Sequence, residues 1–315
     1  MNRISKLAII KKKPVNIKFR TLRRDFDLLS LAIPAIIVLL LICYLPMFGI
    51  IIAFKDYHYD LGMFRSPWVG LKNFAFFFQS QDAFRITRNT ICYNFAYIII
   101  TTTVSVTFAI LLNEISKGWV KLYQTIIFVP YFISWVVAGY LVLAMLDLQY
   151  GFINRIFFAG MPVEWYSSPQ YWPFILVFMS LWKNVGFNTL IYYTGIMGIQ
   201  SEYYEAAEID GASRVQTTFY ITIPFLRRLI AILLIMSLGN IFRGDFGLHY
   251  FVPNNFGPLF ATTDVIDTYV FRALRTLGDI PMASAVSVFQ SIVGLCTILL
   301  ANKVVKRIDE ESSLF

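Results

Sequence analysis

Glu205-Ala206-Ala207-Glu208-Ile209-Asp210-Gly211-Ala212 is a short polar island, and the chain runs from it to Pro224 before apolar sequence resumes. Residues 171–198 precede the island and residues 225–242 follow it, both predominantly apolar. Four more such runs lie at 28–54, 89–113, 122–146 and 281–302. Each is long enough to cross a ~30 Å hydrocarbon core as a helix. The chain is 57% apolar with a mean hydropathy of +0.63, above the roughly 45–50% apolar content of soluble domains. The reading is an all-α integral membrane protein of six transmembrane helices. A β-barrel would show short alternating segments instead. The first run is too long for a signal-peptide core and no A-x-A site follows it, so it is expected to be a retained signal-anchor.

Three parts are expected: a basic N-terminal segment at 1–27, a membrane domain at 28–303 that includes the 201–224 loop, and a tail at 304–315. The net charge of +8 does not point to nucleic acid. With both termini placed in the cytosol, the inner segments carry 17 Lys and Arg and the longer outer loops carry 9, which is the positive-inside asymmetry. Lys11, Lys12, Lys13, Arg20, Arg23 and Arg24 are expected to sit against anionic lipid headgroups. Cys43, Cys92 and Cys296 all fall within spans and are expected to be small packing residues rather than a disulfide framework or redox site. The longest outer loop, 243–280, holds Gly244, Gly247, Pro253, Asn254, Asn255, Gly257 and Pro258 and so turns repeatedly. It is expected to pack on the membrane domain or to contact a partner.

Several functions are poorly served. None of the 19 acidic residues lies in the six spans, whereas ion-coupled transporters commonly use a carboxylate at membrane depth. No Gly-Lys pair occurs, so there is no Walker A phosphate loop, and any ATP that drives the protein binds to another chain. His58 is flanked by Asp56 and Asp60, and His249 lies in the 243–280 loop. An ordinary solvated loop fits the His58 group better than a metal site. No nucleophile–base constellation emerges.

The polar island itself reads as a helical hairpin. Ser201 is placed to cap a helix with Glu202 and Glu205 in its first turn. Ala206, Ala207, Ile209 and Ala212 give that helix a small, partly apolar surface, and Asp210-Gly211 supplies a turn. A second short helix is expected over 213–222, ended by Pro224. The residues alone fit an interfacial hairpin without a partner as well as they fit a docking surface.

Glu205-Ala206-Ala207, Gly211 six residues after Glu205, and Ile223-Pro224 resemble the "EAA" coupling loop of binding-protein-dependent ABC importer permeases. Trp182-Lys183-Asn184-Val185-Gly186-Phe187 and Gly195-Ile196 are similar to the approach to that loop in the sugar-permease group. Tyr44-Leu45-Pro46-Met47-Phe48-Gly49, Ala53-Phe54-Lys55-Asp56-Tyr57, Ser66-Pro67-Trp68-Val69-Gly70-Leu71, Thr263-Asp264-Val265-Ile266-Asp267-Thr268-Tyr269-Val270 and Ala301-Asn302 resemble the maltose-type branch associated with oligosaccharides from complex polysaccharides. Together the likeness covers roughly residues 28–315. Gln200 and Ser201 depart from the family pattern, which more often has Pro or an acidic residue there.

The resemblance implies a type I ABC importer permease fold with a cytoplasmic coupling helix and no enzymatic activity of its own. It implies that Glu205, Ala206, Ala207, Asp210, Gly211, Arg214 and Pro224 couple to an ATP-binding subunit, with Glu205 pairing to a basic group there. The implied partners are two ATP-binding cassette subunits, a second related permease as a heterodimer, an extracytoplasmic solute-binding protein, an oligosaccharide and membrane lipid, with no nucleic acid. No cofactor is expected on this chain, because ATP and Mg belong to the ATPase subunits. The implied location is a multi-pass plasma membrane protein of Gram-positive type. A polyol or glycerol phosphodiester importer, or a membrane-embedded transferase, are the alternatives.

A neutral sugar site needs hydrogen-bonding side chains beside aromatic faces. Lys183 stands about 16 Å along its helix from Trp172, near the bilayer middle, with Trp182, Asn184 and Asn188 as neighbours. It either contacts substrate, snorkels or holds a helix pair. Asn240, Arg243 and Asp245 are candidates for the cavity mouth, although Arg243 and Asp245 equally suit pairing with each other. The scarcity of cations at depth favours a neutral or weakly charged glycan. Thr101, Thr102, Thr103, Ser105 and Thr107 read as structural hydroxyls, and Ser284, Ser287, Ser291 and Gly294 as a close-packing face.

Overall fold

The computed structural model describes residues 26–75 and 79–308. The basic segment 1–27 and the tail 304–315 therefore lie largely outside the described residues. The chain divides into two units, 1–51 and 52–315. The described part of the first unit is apolar helix: an α-helical stretch Phe26–Leu39, a π-turn Leu40–Tyr44, and a tighter helix Leu45–Phe54 that runs on into the second unit.

No β-strand occurs among the described residues, only an antiparallel bridge between Lys55 and Trp68. We label the long helices of the second unit α1 (Gln81–Glu114), α2 (Gly118–Phe132), α3 (Trp135–Leu146), α4 (Trp172–Met197), α5 (Ser201–Ile209), α6 (Arg214–Leu238), α7 (Phe246–Phe251), α8 (Ile266–Leu277) and α9 (Ile280–Ile308). The side that carries the 201–224 hairpin is called inner.

Five described helices are long and apolar enough to cross a membrane unbroken. The expected span at 122–146 is not one of them. It is two helices, α2 and α3, bent by 96°. Pro130 removes a backbone donor, Ile133 and Ser134 are extended (ψ 127° and 151°), and the Ser134 hydroxyl then accepts from Val137 N to start α3. The expected stop at Pro224 also differs. Helix α6 runs through it, because a π-turn at Thr218–Thr222 widens the backbone just ahead of the proline. The residue four before Pro224 is Tyr220, whose carbonyl the ring would strike in a regular helix. Pro46, which follows the π-turn at Leu40–Tyr44, is accommodated in the same manner.

Three apolar clusters hold the second unit together. Ala109, Tyr192, Ile196 and Leu226 join α1, α4 and α6. Ile86, Ile266, Ala273, Met282 and Val286 join α1, α8 and α9. The largest, which includes Tyr93, Val142, Trp172, Leu176, Leu248 and Leu259, ties α3, α4 and the 243–280 segment to α1. Ser105 donates across to the Val185 carbonyl at 3.3 Å, while Thr107 bonds back to Thr103. On α9, Ser287 and Ser291 bond back along their own helix. A Cβ on Gly294 would stand 2.6 Å from the Gly239 carbonyl oxygen, so the two helices meet at backbone distance. The cysteines correct an expectation: all three are free and exposed, facing outward rather than packing inside.

Candidate functional site

The inner hairpin is built from its caps. Gln200 is extended and precedes α5, so Ser201 is the first helical residue and not the cap expected of it. Glu202 sits in the first turn, where the positive end of the helix dipole favours a carboxylate. The helix ends in a Schellman arrangement. Ala212 N donates to Ala207 O at 2.9 Å and Gly211 N to Glu208 O at 3.0 Å, with Gly211 left-handed at φ 74°. Ser213 then opens α6 with a capping box, exchanging backbone and side-chain bonds with Gln216.

One contact closes the hairpin on itself and another ties it to the start of the following span. Tyr204 Oη and Thr222 Oγ1 lie 3.1 Å apart, and the Tyr203 and Phe225 rings are 5.0 Å between centroids. Arg214 pairs with Glu114 at 2.9 Å, which puts the inner end of α1 beside the hairpin. Arg214 itself is exposed, so that pair contributes no more than about 1 kcal/mol. No residue of α5 is buried. Glu205, Ala206, Asp210 and Gly211 are exposed, Ala207 is half-buried, and Ile209 at the tip is 86% exposed. The result is a rigidly terminated helix that presents small side chains, one aliphatic group and several carboxylates outward.

The pathway candidates are brought together only in part. Lys183 Nζ donates to the Tyr131 carbonyl at 2.9 Å and to the Ile133 carbonyl, both at the α2–α3 break. It also lies 5.2 Å from the Trp135 ring centroid. Trp135 Nε1 donates to Asp245 Oδ2 at 3.0 Å, and Asp245 Oδ1 caps α7 by accepting from Leu248 N at 3.1 Å. Burial pushes the Asp245 carboxyl up. The Leu248 N–H, the Trp135 indole, the Gly247 N–H and the Lys183 charge pull it back. Arg243 does not pair with Asp245; its guanidinium donates to Ser291 Oγ at 3.3 Å. Asn184, Asn188 and Asn240 each donate one turn back to Ser180, Asn184 and Met236 carbonyls. Trp182 packs against the largest core cluster. Phe187, next to these, stacks on Tyr131 at 4.7 Å and on Phe128 at 6.4 Å.

The 243–280 segment packs on the membrane domain through residues to which the sequence reading gave no packing role. Asn89 donates to the Ala261 and Asp264 carbonyls, Tyr93 to Thr262 O, and Asn94 to Ile241 O and Arg243 O. Thr90 Oγ1 accepts from Ile266 N. Buried Asp264 accepts from Thr268 and pairs with Arg272, which lies 3.9 Å over the Phe260 ring. His249 is buried. Its Nδ1 faces the Thr263 carbonyl at 2.8 Å, which only accepts, so Nδ1 carries the proton and Nε2 accepts from Tyr97 Oη at 3.0 Å. Burial lowers its pKa to about 4, so the ring is neutral. The available signal was spacing: Asp264, Thr268 and Arg272 recur every four residues, and Asn89, Tyr93 and Tyr97 do likewise on α1. His58 reaches Asp56 at 3.8 Å, both half exposed, and no three potential metal ligands cluster among the described residues.

Comparison with known proteins agrees with this architecture. A family described as "Binding-protein-dependent transport system inner membrane component" matches residues 25–310. Protein LplB of Bacillus subtilis (strain 168) is 34% identical over 293 residues, covering 92% of each chain. The polygalacturonan/rhamnogalacturonan transport system permease protein YteP of the same organism is 34% identical over 282 residues, 89% of this chain and 87% of its own. A chain in the crystal structure of a bacterial alginate ABC transporter, in complex with an alginate pentasaccharide-bound periplasmic protein, superimposes with a TM-score of 0.82 at 31% identity, covering 92% of this chain and 97% of that one.

Proposed function

Because the chain belongs to the binding-protein-dependent transport system inner membrane components, as the multi-pass permease subunit of a sugar ABC importer and not itself an enzyme, we propose that it couples oligosaccharide uptake to ATP hydrolysis on other chains through the 201–224 hairpin. The observation that carries the coupling role is α5: closed by a Schellman turn and held through Tyr203 and Tyr204, yet without one buried residue. A helix that pays for ordering without burying a face of its own has its face covered by a partner. Glu205 would meet a basic group there, while Ala206 and Ala207 admit close approach.

The assembly proposed is this chain, a second related permease, two ATP-binding cassette subunits that hold ATP and Mg, and an extracytoplasmic binding protein. Both termini would be cytosolic in a Gram-positive-type plasma membrane. The Arg214–Glu114 pair supports the topology, since it puts the 114–121 connection and the hairpin on one side. Alternation would then be rocking between two packings, driven by two coupling loops moving together. The relatives named for polygalacturonan/rhamnogalacturonan and for alginate support fragments of acidic polysaccharides as cargo, against the neutral or weakly charged glycan that the scarcity of cations at depth favoured.

The test is uptake by the complete complex in proteoliposomes with its binding protein, offered uronate-containing and neutral oligosaccharides, a polyol and a glycerol phosphodiester. ATP-dependent uptake of one oligosaccharide class is expected. Uptake of the polyol or phosphodiester alone would replace the cargo, and product formation without ATP would replace the importer by an enzyme.

A further inference from the structure

The break between α2 and α3 leaves the last carbonyls of α2 without helical donors, at the negative end of that half-helix. Lys183 of α4 fills this position: its ammonium takes the Tyr131 and Ile133 carbonyls and lies over the Trp135 and Tyr131 rings. Trp135 is held in turn by Asp245, and Gly247 lies so close to it that a Cβ would come within 2.9 Å of the indole Cγ. One turn along α4, Gly186 abuts the backbone of Ile127 and Phe128 on the α2 side of the break.

We propose that Lys183 is a positioning residue: it clamps the α2–α3 break so that α3 and the Asp245-capped helix α7 travel with α4 as one body while the path opens and closes. Two of its three N–H groups are committed to backbone, so its charge stabilises the protein's own bend rather than selecting cargo. The transport consequence rests on the importer reading, but the geometry does not.

The experiment uses the full complex in lipid nanodiscs, with Cys43, Cys92 and Cys296 replaced by Ser and spin labels at Tyr140→Cys on α3 and Phe178→Cys on α4, both exposed positions. With Lys183 intact, the distance distribution is expected to be narrow and the same in nucleotide-free and ATP-trapped states. Lys183→Met should broaden it and make it state-dependent, Lys183→Arg should restore it, and Lys183→Gln, which keeps two donors on a shorter uncharged arm, should fall between. In uptake assays Lys183→Met should lower the maximal rate about tenfold without changing the concentration of loaded binding protein at half-maximal rate. If Lys183→Met fails to assemble, Lys183→Gln is read the same way. An unchanged narrow distribution in Lys183→Met or Lys183→Gln overturns the clamp. If it comes with a raised half-saturation, Lys183 touches cargo. Should even the parent complex take up no glycan, the distances still decide the clamp while the importer reading fails separately.

Discussion

Two single residues set the conditions at opposite ends of the molecule. Gly211 is the left-handed turn of the inner hairpin, with open space around its Cα. Gly211→Ala therefore meets no clash but does meet backbone strain of about 1 kcal/mol. The Schellman bonds should loosen, and amide exchange at Gly211 and Ala212 should rise roughly fivefold. His249 acts through its proton. Its folded pKa of about 4 lies below the ordinary 6.5, so between these values the unfolded chain binds a proton that the native one refuses. Stability from this residue is full above about pH 6.5 and declines as pH falls toward 4, by up to about 3 kcal/mol. Asp245 and Asp267, half-buried and raised by that burial, act with the opposite sign. The readout is therefore the difference between the parent and His249→Gln in thermal unfolding followed by tryptophan fluorescence: it should be constant above about pH 6.5 and shift in favour of the variant as pH falls toward 4, while the carboxylate contributions remain in both. The sequence placed His249 in a loop, and nothing local to it announced burial; its partners come from α1 and from Thr263, far apart in the chain.

Elements depart from their expected form where proline and glycine meet backbone. The apolar runs announced the spans, because length and hydropathy are local properties. The 96° break was not legible, because Pro130 is compatible with a kink, a π-turn or a full stop. At Pro224 and Pro46 the helix widened and continued; at Pro130 it turned, where Lys183 and Gly186 of another helix were ready to receive it. This makes a paired prediction. Gly186→Ala drives a Cβ into the Ile127 carbonyl and within 2.7 Å of Phe128 Cα, and backbone cannot yield as a side-chain tip can. It should cost about 2–3 kcal/mol, seen as a fall in the melting temperature of the purified complex. Gly118→Ala, in an open helical position of α2, should be neutral or stabilise by up to about 1 kcal/mol. Equal effects from the two would contradict the close approach at the break.

For the second unit as a whole, the outer side is a polar-strapped assembly and the inner side carries the exposed 201–224 hairpin. Asp264 is buried and relies on Arg272 for its countercharge. Arg272→Met should leave that carboxylate unpaired at a cost of about 3 kcal/mol or more, and limited proteolysis should then cut within 253–264 in the variant but not in the parent. The helix–turn–helix at 201–224 was legible from local spacing, whereas the straps that hold the 243–280 segment were not, since they join α1 to residues about 150 to 175 positions away. What the hairpin docks against decides the account. In the complete complex with the native cysteines replaced, Ile209→Cys at the exposed tip should form a bifunctional thiol cross-link to an ATP-binding subunit, and the cross-link should suppress ATP hydrolysis stimulated by the loaded binding protein. A cross-link only to the second permease or to the extracytoplasmic protein, or undiminished hydrolysis once the tip is tethered to the ATPase, would contradict the claim that this hairpin carries the coupling.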